Sequence, residues 1–277
     1  MPDSEQESTP SGIDTSKPSV ARVYDYFLGG KDNYEIDRHV ATAALQIAPD
    51  APQAAQSNRQ FLRRTVRHLA AEAGVRQFLD IGSGLPTQGN VHEVAQSAAP
   101  GAHVVYVDHD PIVLAHGRAL LAVDETTTIV DADVREPEKI LDDPRTRALI
   151  DFSEPVGLLM FAILHHLSDQ DDPAGLVTRL LRPLAPGSHV VISHFHNPGQ
   201  AHPEVSQQAF TAEKLFNEHL GTGRWRTHGE ILAYFDGLEL LEPGLVPLPE
   251  WRPDPGEHQP ELGITYQTFV GGVGRKP

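Results

Sequence analysis

Three polar segments of the chain follow apolar runs and are suited to binding a nucleoside-like ligand. In the first, the turn Gly82-Ser83-Gly84 directly follows the apolar run Gln77–Ile81. Glycine lets the backbone approach a ligand because no Cβ intervenes, and a helix that starts after such a turn presents free N–H groups to an anion. Asp80 lies just before the turn, where its carboxylate can meet a ligand ammonium group. Glycines at this spacing are equally typical of an ordinary tight turn.

Acidic residues follow the next two apolar runs. Asp108 comes directly after Val104–Val107, where a carboxylate can accept hydrogen bonds from both hydroxyls of a ribose. Asp133 follows the run Thr127–Val130 and can accept from an adenine amino group, with Val134 packing on the ring. A turn-forming role explains Asp133 equally well. Together the three segments predict a pocket for an amino-acid tail, a ribose and an adenine.

These runs alternate with helical patterns, which indicates an α/β fold. Val156–Leu164 is almost wholly apolar, as expected of a central strand that is covered on both faces. Further strands are predicted at three places: Val190–Ser193, Leu238–Leu241 and Ile264–Val270. The alternation of strands and helices implies right-handed crossovers. We therefore predict a Rossmann-like, mainly parallel seven-stranded sheet with helices on both faces and the ligand beyond the carboxyl ends of the strands.

Helical patterns precede this sheet. Residues 1–18 are polar and poor in apolar side chains, which predicts a disordered tail. Residues 19–73 predict an N-terminal helical extension. Residues 74–277 predict the Rossmann-like domain, with a helical insertion at about residues 200–236.

The connection between the first two predicted helices contains Gly29-Gly30 and many functional side chains. We expect this segment to fold over the ligand as a lid that excludes water. Four of its side chains then contact ligand or substrate: Tyr26, Lys31, Asn33 and Tyr34. A plain helix–helix connection whose tyrosines pack in the core explains the segment equally well.

Composition narrows the function classes. The chain has no cysteine, which excludes disulfides, thiolate metal sites and thiol catalysis. Its net charge of −16 repels phosphate backbones, so a nucleic-acid partner is disfavoured and a small-molecule substrate is favoured. One predicted helix carries a candidate basic patch, but a solvated helix face is the simpler interpretation: Arg59, Arg63, Arg64 and Arg67. His194 and His196 alone do not make a metal site, and no metal is predicted.

Two further patterns bear on location. No run approaches the roughly 18 apolar residues of a membrane span, so no membrane association is expected. The acidic, polar N-terminus lacks the basic and apolar regions of a signal peptide. We therefore expect a cytoplasmic protein. Nothing in the residues predicts its oligomeric state.

Several motifs resemble a known family. The chain resembles the class I S-adenosylmethionine-dependent methyltransferases in four ordered motifs: FLDIGSG, VVYVDHDP, DADV and the apolar strand before His165-His166. It resembles the largely uncharacterised "S-adenosyl methyltransferase" family more narrowly in three longer segments: ARVYDYFLGGKDNYEIDR, FLDIGSGLPTQGNVHEVAQ and VVYVDHDPIVLAHGRALL. This resemblance covers roughly residues 17 to 273. Pro86 departs from the general class but suits the narrower family.

The resemblance implies S-adenosylmethionine as cofactor, S-adenosylhomocysteine as its product, and no particular methyl acceptor. The implied cofactor site comprises seven residues: Asp80, Gly82, Ser83, Gly84, Asp108, His109 and Asp133. Two other functions remain open, namely a noncatalytic S-adenosylmethionine-binding sensor or partner protein and a nicotinamide-dependent oxidoreductase. The oxidoreductase is disfavoured because the third glycine of the dinucleotide fingerprint is missing.

Two histidines are the candidates for catalysis. Methyl transfer needs no strong base when the acceptor is already nucleophilic, whereas a hydroxyl or amine acceptor benefits from a general base. Histidine is typical of this role because its pKa lies near neutral pH. His165 and His166 follow the central predicted strand on the ligand side. Polar residues at strand ends also simply line loops.

Overall fold

A computed structural model describes residues 14–86, 89–121, 125–256 and 263–277. Its strands are β1 Gln77–Ile81, β2 His103–Asp108, β3 Thr127–Asp131, β4 Gly157–Phe161, β5 His189–Phe195, β6 Glu239–Leu240, β7 Val246–Pro247 and β8 Phe269–Arg275. The described strands form one sheet in the order β3-β2-β1-β4-β5-β8-β6, with β7 also paired to β8. Strands β1 to β5 are parallel, and β8 is antiparallel to β5. The strand order reverses between β1 and β4, which confirms the mainly parallel, Rossmann-like sheet. The described sheet has eight strands rather than the predicted seven, because the two-residue strand β7 was not predicted.

Helices precede the sheet, connect its strands and follow β5. The first three are α1 Val20–Phe27, α2 Glu35–Ile47 and α3 Ala51–Ala71. Those between strands are α4 Val91–Ala98, α5 Pro111–Leu121, α6 Pro137–Asp142, α7 Pro144–Leu149 and α8 Pro173–Leu181. After β5 come α9 Pro203–Leu220 and α10 His228–Leu232. Helices α5 to α9 all begin with proline, whose fixed φ suits the first helical position.

Apolar side chains form a core on each face of the sheet. Phe78 of β1 packs into the cluster that contains Phe61 of α3, whereas its neighbour Leu79 packs on the other face. The alternation follows from the period of two residues along a strand. A third apolar cluster lies between α1, α2, α3 and α9. It contains Phe27 of α1, Phe216 of α9 and Trp225, which follows α9. The N-terminal helices therefore pack against the helical segment that follows β5.

The last predicted strand, Ile264–Val270, is misplaced by five residues. Residues 265–268 instead form a 3-10 turn, because the Thr265 backbone N–H and hydroxyl both donate to the Asp50 carboxylate before α3. Strand β8 then contains glycine where α3 crosses it closely. A Cβ on Gly271 would lie 2.7 Å from ring atoms of Phe61. The close crossing explains why the true strand has few of the residues that favour strands.

The predicted strand Val156–Leu164 is also shorter than expected, since β4 ends at Phe161. The backbone turns at Ala162, which has a φ of +55°, and a 3-10 turn, Leu164–His166, follows. The predicted tail falls largely on residues 1–13, which lie outside the described residues. Across the described ranges, every helix is too short or too polar to traverse a lipid bilayer.

Candidate functional site

A cavity of about 570 Å³ lies at the carboxyl ends of β1, β2, β4 and β5, where the strand order reverses. Its walls have two distinct parts. The strand-tip half is formed by the residues that follow β1 and β2: Asp80, Gly82, Ser83, Gly84, Asp108, His109 and Asp110. The helical half is formed mainly by α1, α2, α3 and α9 and includes Phe27, Ala44, Ala55, Ala209, Ala212, Phe216 and Trp225.

The glycine turn after β1 requires glycine for two reasons. Gly82 has a φ of +70°, and a Cβ there would lie 2.6 Å from Cδ1 of Ile163. Gly84 has a φ of +67° and faces open space, since no atom lies within 4 Å of the position a Cβ would take. The turn therefore presents bare backbone to the cavity.

Asp108 is buried against this turn. Its Oδ2 accepts a hydrogen bond from the backbone N–H of Gly84 at 2.9 Å, and its Oδ1 accepts from those of His109 and Asp110 at 2.8 and 2.9 Å. Burial raises the pKa of the Asp108 carboxyl, and the backbone hydrogen bonds oppose that rise. The structure thus joins the end of β2 to the glycine turn through one carboxylate that also lines the cavity.

Asp80 is a buried carboxylic acid beside the same turn. Its side chain lines the cavity, and the residue is only 4% exposed. Burial raises the pKa of Asp80 to about 7; the positive charge of Arg59 opposes the rise and the charge of Asp108 adds to it. No hydrogen bond from the described residues contributes to this balance. A ligand ammonium group at this place would stabilise the ionised carboxylate.

Arg59 of α3 also lines the cavity, and the sequence analysis missed this role. Its Nε is buried without a hydrogen-bond partner among the described residues, and its Nη2 donates to the carbonyl of Gly89 at 3.3 Å. The sequence spacing could have indicated this position. The apolar residues Ala55 and Leu62 lie four positions before Arg59 and three after it, so all three share one helix face, and Ala55 and Leu62 both line the cavity.

Two other arginines of the candidate basic patch, Arg64 and Arg67, have separate roles. Arg64 is buried and donates to the carbonyls of Trp251 and Leu248 at 2.9 and 2.7 Å. Arg67 pairs with both carboxylate oxygens of Asp254. These side chains therefore do not share one exposed surface with Arg59.

The residues predicted for the adenine lie beside the cavity wall. The Asp133 carboxylate accepts from the backbone N–H of Arg135 at 2.8 Å and from its Nη1 at 2.9 Å. Val134 is buried in the core on the β1 face that carries Leu79. Of the neighbouring residues Asp133, Val134 and Arg135, it is Arg135 that lines the cavity.

His165 and His166 both line the cavity, on the 3-10 turn after β4. The His165 ring stacks on Phe195 with centroids 3.5 Å apart, and its Nδ1 accepts from the Phe195 backbone N–H at 3.2 Å. Because a backbone N–H can only donate, the neutral His165 ring carries its proton on Nε2. His165 Nε2 and His166 Nδ1 are both buried without a hydrogen-bond partner in the described part of the chain.

Burial keeps these histidines uncharged at neutral pH. Burial, together with the charges of neighbouring His166, His194 and Arg226, holds the pKa of His165 well below its usual value. Burial alone lowers the pKa of His166 to about 4. Both ring nitrogens of His194 have hydrogen-bond partners: Nδ1 donates to the carbonyl of Phe195, and Nε2 accepts from Arg226. The described residues contain no group of three side chains placed to hold a metal ion.

The four predicted lid side chains lie outside the cavity-lining set among the described residues. Tyr26 packs edge-on against Phe27, Lys31 is exposed, and Tyr34 lies under the Arg22 guanidinium. Asn33 is buried and donates to the Asp25 carboxylate at 2.8 Å. Helix α1 itself lines the cavity, through residues that include Val20, Val23 and Tyr24.

Solved structures similar to this chain share its architecture. A protein described as a candidate methyltransferase from Thermobifida fusca is 46% identical, with a TM-score of 0.89 over 98% of this chain and 99% of that one. A DUF574 family protein from Streptomyces avermitilis is 42% identical, with a TM-score of 0.89 over 95% and 99%. An O-methyltransferase family protein from Burkholderia thailandensis, 12% identical with a TM-score of 0.52 over 94% and 64%, shares the fold alone. No curated protein matches the chain.

The strand order and the glycine turn at its reversal define a class I methyltransferase-like Rossmann fold. The chain belongs to the S-adenosyl methyltransferase family, whose match spans residues 6–277. Its cofactor is S-adenosylmethionine. The buried Asp80 carboxylate, which has no hydrogen bond from the described residues, lies beside bare glycine backbone and fits that cofactor's cationic amino-acid tail.

Proposed function

We propose that the protein transfers a methyl group to a small-molecule acceptor that binds in the helical half of the cavity. The observation that carries this proposal is the continuity of one cavity from the strand tips to four helices. Its volume of about 570 Å³ lies within the range of roughly 300–1,000 Å³ typical of small-molecule sites. When bound, S-adenosylmethionine would supply a methyl carbon to an acceptor lone pair; the carbon–sulfur electron pair would stay on sulfur, and a hydroxyl or amine acceptor would release its proton to water.

The strand-tip half supplies a contact for each polar part of the cofactor. Asp80 would hold the ammonium group, because its buried carboxyl lies in the cavity wall. Arg59 would hold the carboxylate, because it is half-buried in the same wall and its Nε has no hydrogen-bond partner among the described residues. Asp108 would accept from the ribose hydroxyls, since it already faces the cavity at the end of β2. Ser83, His109 and the glycines would complete the wall around the adenosine.

The adenine edge remains assigned to Asp133 and Val134. In the structure Arg135 takes up both oxygens of the Asp133 carboxylate. Asp133 would therefore reach an adenine amino group through a lone pair left over from these bonds, or after Arg135 turns away.

His165 and His166 would position the acceptor rather than ionise it. Both side chains lie in the cavity wall, and both are uncharged at neutral pH because burial lowers their pKa values. A weakly basic imidazole removes a proton poorly at pH 7, but it orients an oxygen or nitrogen through a hydrogen bond.

Helix α1 and the connection after it would close the cavity as the lid. The Ser19 hydroxyl donates to Asp110, the cap of α5, at 2.5 Å, and the Asp25 carboxylate binds the Asp32 N–H and the Asn33 amide. Tyr26, Lys31 and Tyr34 would reach substrate only if this segment moves. Deleting residues 1–34 should therefore weaken S-adenosylhomocysteine binding in a protein that still folds.

Thermal unfolding with different ligands tests the proposed function. S-Adenosylhomocysteine at about 100 times its dissociation constant should stabilise the protein by roughly 2.7 kcal/mol, and NAD should not. Incubation with S-adenosylmethionine and a metabolite extract should then yield S-adenosylhomocysteine. Stabilisation without any turnover would instead support a noncatalytic sensor or partner protein.

A further inference from the structure

The helical half has a wall of small apolar side chains. Alanines occupy the faces that α2, α3 and α9 turn towards the cavity: Ala44, Ala48, Ala51, Ala54, Ala55, Ala209 and Ala212. Several belong to the third apolar cluster, so these faces are packed rather than flexible. Because alanine side chains end at Cβ, the helices pack closely and still leave space between them.

Most charged side chains of the cavity wall lie in or beside the strand-tip half. Among the described cavity-lining residues, the aspartates and arginines are Asp25, Arg59, Asp80, Asp108, Asp110 and Arg135. Asp25 is the one that α1 contributes, and its carboxylate is turned to the Asp32 N–H and the Asn33 amide, near His116 of α5. The described cavity-lining residues of α2 and α9 include no charged side chain. A buried ionic acceptor would find no counter-charge there.

Aromatic rings line the junction of the two halves. Phe195 is stacked between His165 and Trp225, with ring centroids 3.5 and 4.2 Å away, and Phe216 meets Trp225 edge-on. Tyr24 is already bonded to Asn58 and to the Ala55 carbonyl. His165 Nε2 and His166 Nδ1 lack a hydrogen-bond partner among the described residues, but both atoms are buried, so neither is singled out as a donor to an acceptor. Rings rather than charges therefore border the space in which an acceptor would lie.

From these features we propose that the methyl acceptor is an uncharged aromatic compound. This proposal rests on the proposed function and specifies its substrate class. An anion or a cation in the helical half loses its hydration without gaining a partner, which costs more than burying a neutral ring. A cation is further disfavoured because the bound sulfonium is itself positive.

A series of naphthalene derivatives that differ in charge tests the class. Naphthol, naphthoate and naphthylmethylammonium share one ring system and are neutral, anionic and cationic at pH 7. Their affinities are measured by calorimetry on the unmodified protein saturated with S-adenosylhomocysteine. We expect naphthol to bind at least about tenfold more tightly than either ion. Equal or tighter binding of an ion, or no binding of naphthol, would overturn the proposal.

A pair of neighbouring substitutions on α9 tests the location. Ala212 lines the cavity, whereas the adjacent Thr211 is exposed and lies outside the cavity wall. Ala212→Phe should lower naphthol affinity at least about tenfold and leave S-adenosylhomocysteine affinity unchanged. Thr211→Phe should change neither. Unaltered naphthol binding in a folded Ala212→Phe variant contradicts the location, and the charge series stays decisive if that variant does not fold.

The substrate class and the proposed function fail in different ways. Failure of S-adenosylhomocysteine itself to bind would contradict the proposed function. Failure of the naphthalene series on the protein saturated with S-adenosylhomocysteine would contradict the substrate class, so the two failures are distinguishable.

Discussion

The two halves of the cavity are held in place by different interactions. In the strand-tip half, polar atoms are fixed by backbone contacts over a few residues, as when Asp108 accepts from the N–H groups of His109 and Asp110. In the helical half, the wall is fixed by apolar packing between helices far apart in the chain, such as α2 and α9. The first half is therefore a rigid electrostatic site, and the second is a shaped apolar space.

This contrast divides the effects of substitution. Changes in the strand-tip half should alter cofactor affinity by removing charged hydrogen bonds, with little effect on which acceptor binds. Changes in the helical half should alter acceptor preference while leaving cofactor affinity intact. Each of the following predictions tests that division.

Loss of the Asp108 carboxylate should have the largest effect. Asp108→Ala removes the group proposed to accept from the ribose and also releases the N–H of Gly84. S-Adenosylhomocysteine affinity should fall about 10- to 100-fold, as expected for one or two charged hydrogen bonds, and calorimetry measures it. Asp131→Ala is the matched control, because Asp131 ends the adjacent strand in register with Asp108 and is exposed. Equal affinities in the two variants would contradict the assignment.

Asp80→Asn should raise the free energy of unfolding of the ligand-free protein and lower its affinity for the cofactor. The folded-state pKa of Asp80, about 7, lies above its ordinary value of 3.8, so the stability it contributes at low pH is lost as pH rises through 7. Urea unfolding at pH 8 should show the ligand-free variant more stable than wild type by roughly 1–3 kcal/mol. At pH 4 the difference should be much smaller. A variant that is less stable at pH 8 would show that the carboxylate has a protein partner.

Arg59→Met should lower the affinity for ligands that carry the amino-acid tail and leave the affinity for the nucleoside alone unchanged. The variant should bind S-adenosylhomocysteine about tenfold more weakly, because the amino-acid carboxylate loses its guanidinium partner. Methylthioadenosine lacks that tail, so its affinity should not change. Arg67→Met, on the same helix but paired with Asp254 at the surface, should affect neither ligand. An equal loss for both ligands would mean that Arg59 supports the fold of the cavity rather than the carboxylate.

The smallest effect at neutral pH is expected for His166. Its folded-state pKa of about 4 lies below its ordinary value of 6.5, so wild type loses stability as pH falls from 6.5 towards 4, while the unfolded chain binds the proton. His166→Phe removes this loss. Its stability relative to wild type should be constant from pH 8 to 7 and should increase as pH falls below 6.5. A relative stability that does not depend on pH would place a charged His166 in the folded protein.

Sequence reasoning was strongest where function depends on short-range spacing. The glycine turn follows β1 directly, and Asp108 ends the next strand, so parallel pairing of two adjacent strands is enough to bring them together. The cap Asp110 before Pro111 likewise starts α5, with its Oδ1 accepting from the Ile112 N–H. In contrast, the final strand was misplaced because its limits depend on Asp50, which binds Thr265 from far away in the chain.

The chain by itself therefore determined the fold class, because local patterns of polar and apolar residues are enough to specify it. Its motifs implied the cofactor through their resemblance to a family, and the same local patterns located the strand ends where we propose that the ligand binds. Only the tertiary structure decided that Arg59 faces the cavity rather than solvent, that His165 carries its proton on Nε2, and that alanines of distant helices share one wall. The physical reason is that charge state, hydrogen-bond partners and cavity shape depend on groups that folding brings together from remote positions.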